Sequence, residues 1–147
     1  MKLQEILEVI RDEFSTQFTL RQITWAKPRT LSKFKADRLS LMRVLRNLVE
    51  NALKYGGDEL SEIRVDYEES EDHHVISVTN DGAGIRDEDA ERIFLPFNRA
   101  KGVLEVRGAG LGLAIVKEIA EHHGGMAWFQ PVREKGCAFY VSISKKL

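Results

Sequence analysis

Cysteine is almost absent from this 147-residue sequence: Cys137 stands alone. A single thiol excludes an internal disulfide and any multi-cysteine zinc or iron–sulfur centre, and it agrees with a reducing compartment. Proline is scarce, at 3, and glycine numbers only 11, which excludes a fibrous or low-complexity disordered chain. No apolar run approaches the roughly 20 residues of a membrane span. The opening Met1-Lys2-Leu3-Gln4-Glu5 has no apolar core of the signal-peptide type. A surplus of one charge is also missing, since 22 Lys and Arg face 23 Asp and Glu for a net charge of −1. Such a balance makes no case for a nucleic-acid surface or a polybasic membrane contact. The expectation is a soluble, cytoplasmic chain that can be a piece of something larger.

What is present is a globular composition, 43% hydrophobic and 31% charged. A chain of this size buries roughly two-thirds of its unfolded surface, so residues 1–147 read as one domain without a staple. Leu3, Ile6, Leu7, Ile10 and Phe14 recur at helical spacing. Short extended runs follow at Gln22 to Ala26 and Ser32 to Ala36. From about Arg38 to Tyr55 an apolar face of Leu41, Leu45, Leu48 and Ala52 predicts the strongest helix, stopped by Gly56-Gly57. Ile63 to Tyr67 and Val75 to Thr79 alternate as strands, and the acidic stretch Glu68 to Asp72 joins them as a hairpin. A short helix is expected around Asp87 to Ile93, a long one from Leu111 to His123 closed by Gly124-Gly125, and a final strand pair at Met126 to Gln130 and Ala138 to Ser144. This order suggests an α/β architecture with helices covering one face of a mixed sheet.

Three constellations carry chemistry. Asn47 and Asn51 lie four residues apart, so they project about 40° apart on one side of the main helix. Lys54 extends the stripe, with Glu50 beside it. Two amide oxygens at this spacing suit a hard cation such as Mg²⁺, which keeps waters and phosphates as its other ligands; a solvated polar face is the plainer alternative. Next, Asn80-Asp81-Gly82-Ala83-Gly84-Ile85 follows a strand, where glycines let backbone approach a flat ligand and Asp81 can accept from an exocyclic amine. An ordinary Asp-Gly turn is the alternative there. Last, Gly108-Ala109-Gly110-Leu111-Gly112-Leu113 opens a helix, whose N–H groups and dipole attract an anion. The spacing is not a Rossmann fingerprint, no Gly-Lys dipeptide permits a Walker A loop, and the His-Arg-Asp and Asp-Phe-Gly signatures are absent.

In order and separation, Asn47-Leu48-Val49-Glu50-Asn51-Ala52-Leu53-Lys54-Tyr55, Asp81-Gly82-Ala83-Gly84-Ile85, Phe94-Leu95-Pro96-Phe97 and Gly108-Ala109-Gly110-Leu111-Gly112-Leu113 closely resemble the N, G1, F and G2 boxes of sensor histidine kinases. These boxes belong to the catalytic, ATP-binding domain of that family, in the superfamily of gyrase, heat-shock chaperone, histidine kinase and mismatch-repair ATPases. The resemblance runs over essentially the whole chain and implies the Bergerat fold, a two-layer α/β sandwich. It implies that Asn47 and Asn51 face Mg²⁺–triphosphate, with Asn51 preferred as the direct ligand. Lys54 would reach phosphate, Tyr55 would pack on adenine or ribose, Asp81 would take the adenine amine, and Gly84 would leave room for the ring, with Gly82 and Ile85 also at the ATP site. Phe94 and Phe97 would flank the site. Residues 98–107 would form an ATP lid with Arg99, Lys101 and Arg107 on phosphate. Gly108, Gly110 and Gly112 would hinge the lid and present N–H groups to the phosphates, with Leu111 and Leu113 also at the ATP site.

Two departures accompany the resemblance. Gly56 stands where the family more often has Ser or Thr, and the lid is short and carries Val103-Leu104. The superfamily's hydrolases carry a glutamate four residues before the metal-binding asparagine; here that position is Asn47. Without a base to orient water, the γ-phosphate is held for another nucleophile. His73, His74, His122 and His123 all lie outside the family's phosphoacceptor context and read as surface histidines. Trp25, Trp128, Phe129 and Phe139 read as core. The implied partners are a histidine-bearing dimerisation domain outside this chain and a downstream response regulator, with ATP and Mg²⁺ as cofactors. No direct membrane contact is implied, and the isolated domain is expected to be a monomer. A nucleotide-regulated binding module and an anti-sigma-type serine kinase remain the alternatives.

Overall fold

The computed structural model describes residues 3–28, 37–83, 112–131 and 136–146. Helix α1 (Leu3–Glu13) buries Leu3, Ile6, Leu7 and Ile10, the stripe its periodicity predicts. A second short helix, α2 (Ser15–Leu20), follows at once through Phe14. Phe18 of α2 stacks on Trp25 of β1 (Thr24–Ala26) with ring centroids 5.5 Å apart. Helix α3 (Arg38–Gly56) starts at Asp37, whose carboxylate accepts from the Leu39 amide at 3.2 Å and the Ser40 hydroxyl at 2.8 Å. That cap satisfies helix donors that have no intrahelical partner. Its buried side carries Leu41, Val44, Leu45, Leu48, Val49, Ala52 and Leu53.

A 3₁₀ turn at Gly57–Glu59 leads to the hairpin of β2 (Glu62–Glu69) and β3 (His73–Asn80). After them come α4 (Gly112–His122), β4 (Ala127–Pro131) and β5 (Cys137–Ser144). Helix α4 closes as its paired glycines predict: the Gly125 amide donates to the Ala120 carbonyl at 2.8 Å and that of Gly124 to Glu121 at 3.1 Å. Gly124 adopts φ 71°, which an L side chain resists. The expected extended run from Ser32 to Ala36 and the helix around Asp87 to Ile93 lie outside the described residues.

The strands form one sheet in the order β1-β2-β3-β5-β4, with β1 parallel to β2 and every other pairing antiparallel. Register aligns rows across it. Val65, Val78, Phe139 and Phe129 form one row, and Tyr67, Ile76, Val141 and Ala127 the next. These rows face α3 and α4 and join Leu113, Val116 and Ala120 in a single core. The sheet is therefore mixed, with helices packed on one face, as expected.

Strand parity corrects two readings. Trp128 pairs with Tyr140 on the opposite face, where the rings stack at 5.1 Å, so it is not part of the helix-side core. His74 is not a surface histidine. It pairs with Ile143 in a helix-facing row, is 8% exposed, and stacks on Tyr67.

Candidate functional site

The C-terminal half of α3 brings the polar stripe to one corner of the sandwich. Asn47 is half-buried and Asn51 is buried at 7% exposure. The Asn51 Nδ2 donates to the Asn47 carbonyl at 2.7 Å. Only the nitrogen end of an amide can face a carbonyl, so this bond fixes the flip and leaves Asn51 Oδ1 as the remaining acceptor. A hard, neutral oxygen held on a rigid helix fits Mg²⁺ well. Lys54 is exposed and Tyr55 half-buried on the next turn.

Helix α3 ends against the segment that follows β3. The Ala83 amide donates to the Gly56 carbonyl at 2.9 Å. A Cβ on Gly82 would sit 2.3 Å from both the Gly56 Cα and its carbonyl oxygen, so only glycine permits this backbone contact. Gly56, where the resemblance departs from its pattern, is thus itself part of the joint. The asparagine helix and the first glycine of the second constellation meet here.

Asn80 and Asp81 part at this corner. Asn80 continues the helix-facing row of Ile76 and Val78, is 1% exposed, accepts from the Gly82 amide at 2.9 Å, and donates toward Cys137 Sγ at 3.4 Å. Burial pushes the Cys137 thiol up to about 11, against the smaller effect of the Asn80 hydrogen bond, so the thiol stays protonated and unreactive. The Asp81 carboxylate accepts from the Ser61 amide at 2.8 Å, the Glu62 amide at 2.9 Å and the Ser61 hydroxyl. Its partial burial raises its pKa, but these donors outweigh burial and hold it below the ordinary carboxylate value. The carboxylate expected to take an amine is therefore bound to the start of β2. The sequence motif gives the polar role to Asp81 and none to Asn80, although the alternation of Ile76 and Val78 with Ser77 and Thr79 already marks position 80 as inward.

Gly112 opens α4, and Leu113 is buried in the core at 2% exposure. Gly84, Ile85, Phe94, Phe97, Arg99, Lys101, Arg107, Gly108, Gly110 and Leu111 lie outside the described residues, as does the whole expected lid. Among the described residues no three His, Cys, Asp or Glu side chains cluster as a metal site. No described helix is long and apolar enough to cross a membrane.

The chain is similar in sequence and in fold to known proteins. Residues 36–147 match the family model of the histidine kinase-, DNA gyrase B-, and HSP90-like ATPases. The phytochrome-like protein Cph1 of Synechocystis is 40% identical over 108 residues, covering 74% of this chain and 14% of Cph1. The sensor histidine kinase WalK of Bacillus subtilis is 35% identical over 114 residues, covering 75% of this chain and 18% of WalK. The chain therefore spans less than a fifth of the length of either relative. The catalytic domain of histidine kinase ThkA superposes with a TM-score of 0.81 at 30% identity, covering 99% of this chain and 94% of that one. The same kinase is also known in complex with the response regulator protein TrrA, with a TM-score of 0.79 over 99% of this chain and 41% of that one.

Proposed function

The chain belongs to the histidine kinase-, DNA gyrase B-, and HSP90-like ATPase family, as a catalytic domain of the histidine kinase type, and from that premise we propose that it binds Mg²⁺–ATP and donates the γ-phosphate to a histidine on a separate dimerisation domain. The reading takes residues 1–147 as a single catalytic domain, on the cytoplasmic side of a larger sensor protein. Its onward partner is a response regulator, by analogy with the kinase–regulator complex among the similar structures.

One observation carries the reading: the Gly56–Gly82 contact, which joins the asparagine helix and the glycine segment at one corner. Asn51 Oδ1 and the Asn47 side chain would hold Mg²⁺, which supplies charge neutralisation on the phosphates when bound. Lys54 adds a mobile positive charge one turn on. Tyr55 offers an aromatic wall, and Gly82, closed against Gly56, holds the segment after β3 beside the end of α3. Beyond the described residues, Gly84, Ile85, Phe94, Phe97, Arg99, Lys101, Arg107, Gly108, Gly110 and Leu111 belong to the proposed site on the strength of the sequence motifs alone.

Phosphoryl transfer depends mostly on positioning and charge neutralisation. At position 47 an amide cannot deprotonate water, which favours an incoming imidazole over hydrolysis. The imidazole nitrogen attacks phosphorus as the bond to the ADP oxygen breaks, and its proton leaves to solvent.

The test is to incubate the chain with labelled ATP and the separately expressed dimerisation domain of its parent. An acid-labile, base-stable product is expected, and Asn51→Ala should abolish it. An acid-stable product would assign a serine acceptor, and binding without transfer would make the chain a nucleotide-regulated binding module.

A further inference from the structure

Arg21 ends α2 and reaches a helix to which it does not belong. Its Nη1 donates to the Leu53 carbonyl at 3.1 Å and its Nη2 to the Gly57 carbonyl at 2.9 Å. The last four carbonyls of an α-helix have no intrahelical donor. Leu53 and Gly57 bracket the final turn of α3, which carries Lys54, Tyr55 and Gly56. Between them, the Gly56 carbonyl is taken by the Ala83 amide. Arg21 and Ala83, from opposite directions along the chain, thus hold the end of one helix.

We infer that Arg21 is a positioning residue for the nucleotide site: by bridging the Leu53 and Gly57 carbonyls it sets the last turn of α3 against Gly82 and Ala83, and so sets nucleotide affinity without touching nucleotide. The inference rests on the reading of this corner as the ATP site. A guanidinium suits the task because its planar fork serves two acceptors at once, and its charge lies at the negative end of the helix dipole. The coupling to the site is short. Arg21 holds carbonyls on either side of Gly56, and Gly56 lies against Gly82 without space for a methyl group. Two backbones in contact have no flexible side chain to absorb a shift, so displacement of Gly56 is passed to Gly82.

Helix termination alone does not account for the bridge. Gly57, at φ 66°, already ends α3, and its carbonyl also receives the Leu60 amide at 3.3 Å. What the bridge adds is the placement of that end relative to a segment far away in sequence.

Arg21→Ala and Arg21→Lys in the full chain test the inference by two measurements. Hydrogen exchange without nucleotide reads the joint. The Ala83 amide should exchange about tenfold faster in Arg21→Ala, while the Val78 and Phe139 amides in the central strands stay protected as in the parent chain. Calorimetry with Mg²⁺–ADP reads the site. Affinity should fall about tenfold in Arg21→Ala, and less in Arg21→Lys, which can reach one carbonyl but not bridge two. Unchanged affinity overturns the inference, and so does a uniform rise in exchange across the sheet, which would mark Arg21 as a fold-wide stabiliser. A parent chain that binds no ADP overturns the nucleotide reading instead, and Ala83 exchange then still decides whether Arg21 holds the joint. If Arg21→Ala does not fold, Arg21→Lys carries both measurements.

Discussion

Asn80 and Asp81, adjacent at the end of β3, carry their side chains to different partners. The Asn80 amide lies between the Gly82 N–H and the Cys137 sulfur on the helix side. The Asp81 carboxylate ties the start of β2 through Ser61 and Glu62. Neighbours in sequence thus serve two structures, the corner beside Gly56 and the β2–β3 junction.

Substitution should separate the two roles. Asp81→Ala strands two backbone amides and a hydroxyl, and is expected to lower stability by about 1–3 kcal/mol in urea unfolding. Asn80→Ala should weaken ATP binding more than Asp81→Ala does, measured by calorimetry on the folded proteins. Loss of ATP binding in Asp81→Ala at unchanged stability would return the amine contact to Asp81.

His74 makes stability depend on pH near neutrality. Burial holds its imidazole below the ordinary value; Lys145 acts the same way and Glu69 opposes. The Tyr67 hydroxyl, 2.6 Å from Nδ1, completes its surroundings. The unfolded chain therefore takes up a proton before the folded one as pH falls. The contribution is complete above the unfolded pKa of about 6.5 and is lost as pH drops from there through the lower folded value. Urea midpoints from pH 8 to pH 5 should fall less steeply for His74→Gln than for the parent chain. Parallel curves would remove His74 from the titration.

Gly82→Ala places a methyl group where backbone already stands, 2.3 Å from Gly56 Cα and O. Neither contact atom belongs to a side chain that can turn away. The expected cost is about 1–3 kcal/mol of stability, together with loss of Mg²⁺–ATP binding. A variant as stable and as tightly binding as the parent would mean that the two segments separate freely.

Asn51→Asp keeps the volume and an oxygen donor for a cation but cannot donate to the Asn47 carbonyl. The carboxylate would face that carbonyl oxygen at 2.7 Å, so it must rotate out of place. Mg²⁺–ATP affinity is expected to fall despite the added negative charge. Tighter Mg²⁺–ATP binding in Asn51→Asp would show that charge, and not the tether, governs the site.

Much of this protein is written locally. Leu3, Ile6, Leu7 and Ile10 mark α1, and Leu41, Leu45, Leu48 and Ala52 mark α3, because a period of 3.6 residues survives in any helix that buries one side. Alternation at Ile76 and Val78 marks β3, and Gly124-Gly125 marks the end of α4, for equally local reasons. The asparagine pair and the spacing of the glycine motifs were legible in the same way, and they carried the family resemblance. The orientation of Asn80 was available too, through strand parity.

Tertiary structure alone decided the rest, because it depends on segments that meet only after the chain has closed on itself. The Trp128–Tyr140 stack required the β4–β5 register, and the burial of His74 required its pairing with Ile143. Nothing near position 56 announces that Gly82 will lie against it, or that Arg21 will cap the same turn from 32 and 36 residues away. Backbone carbonyls have no sequence signature. Which donor reaches them is settled only by how whole elements pack.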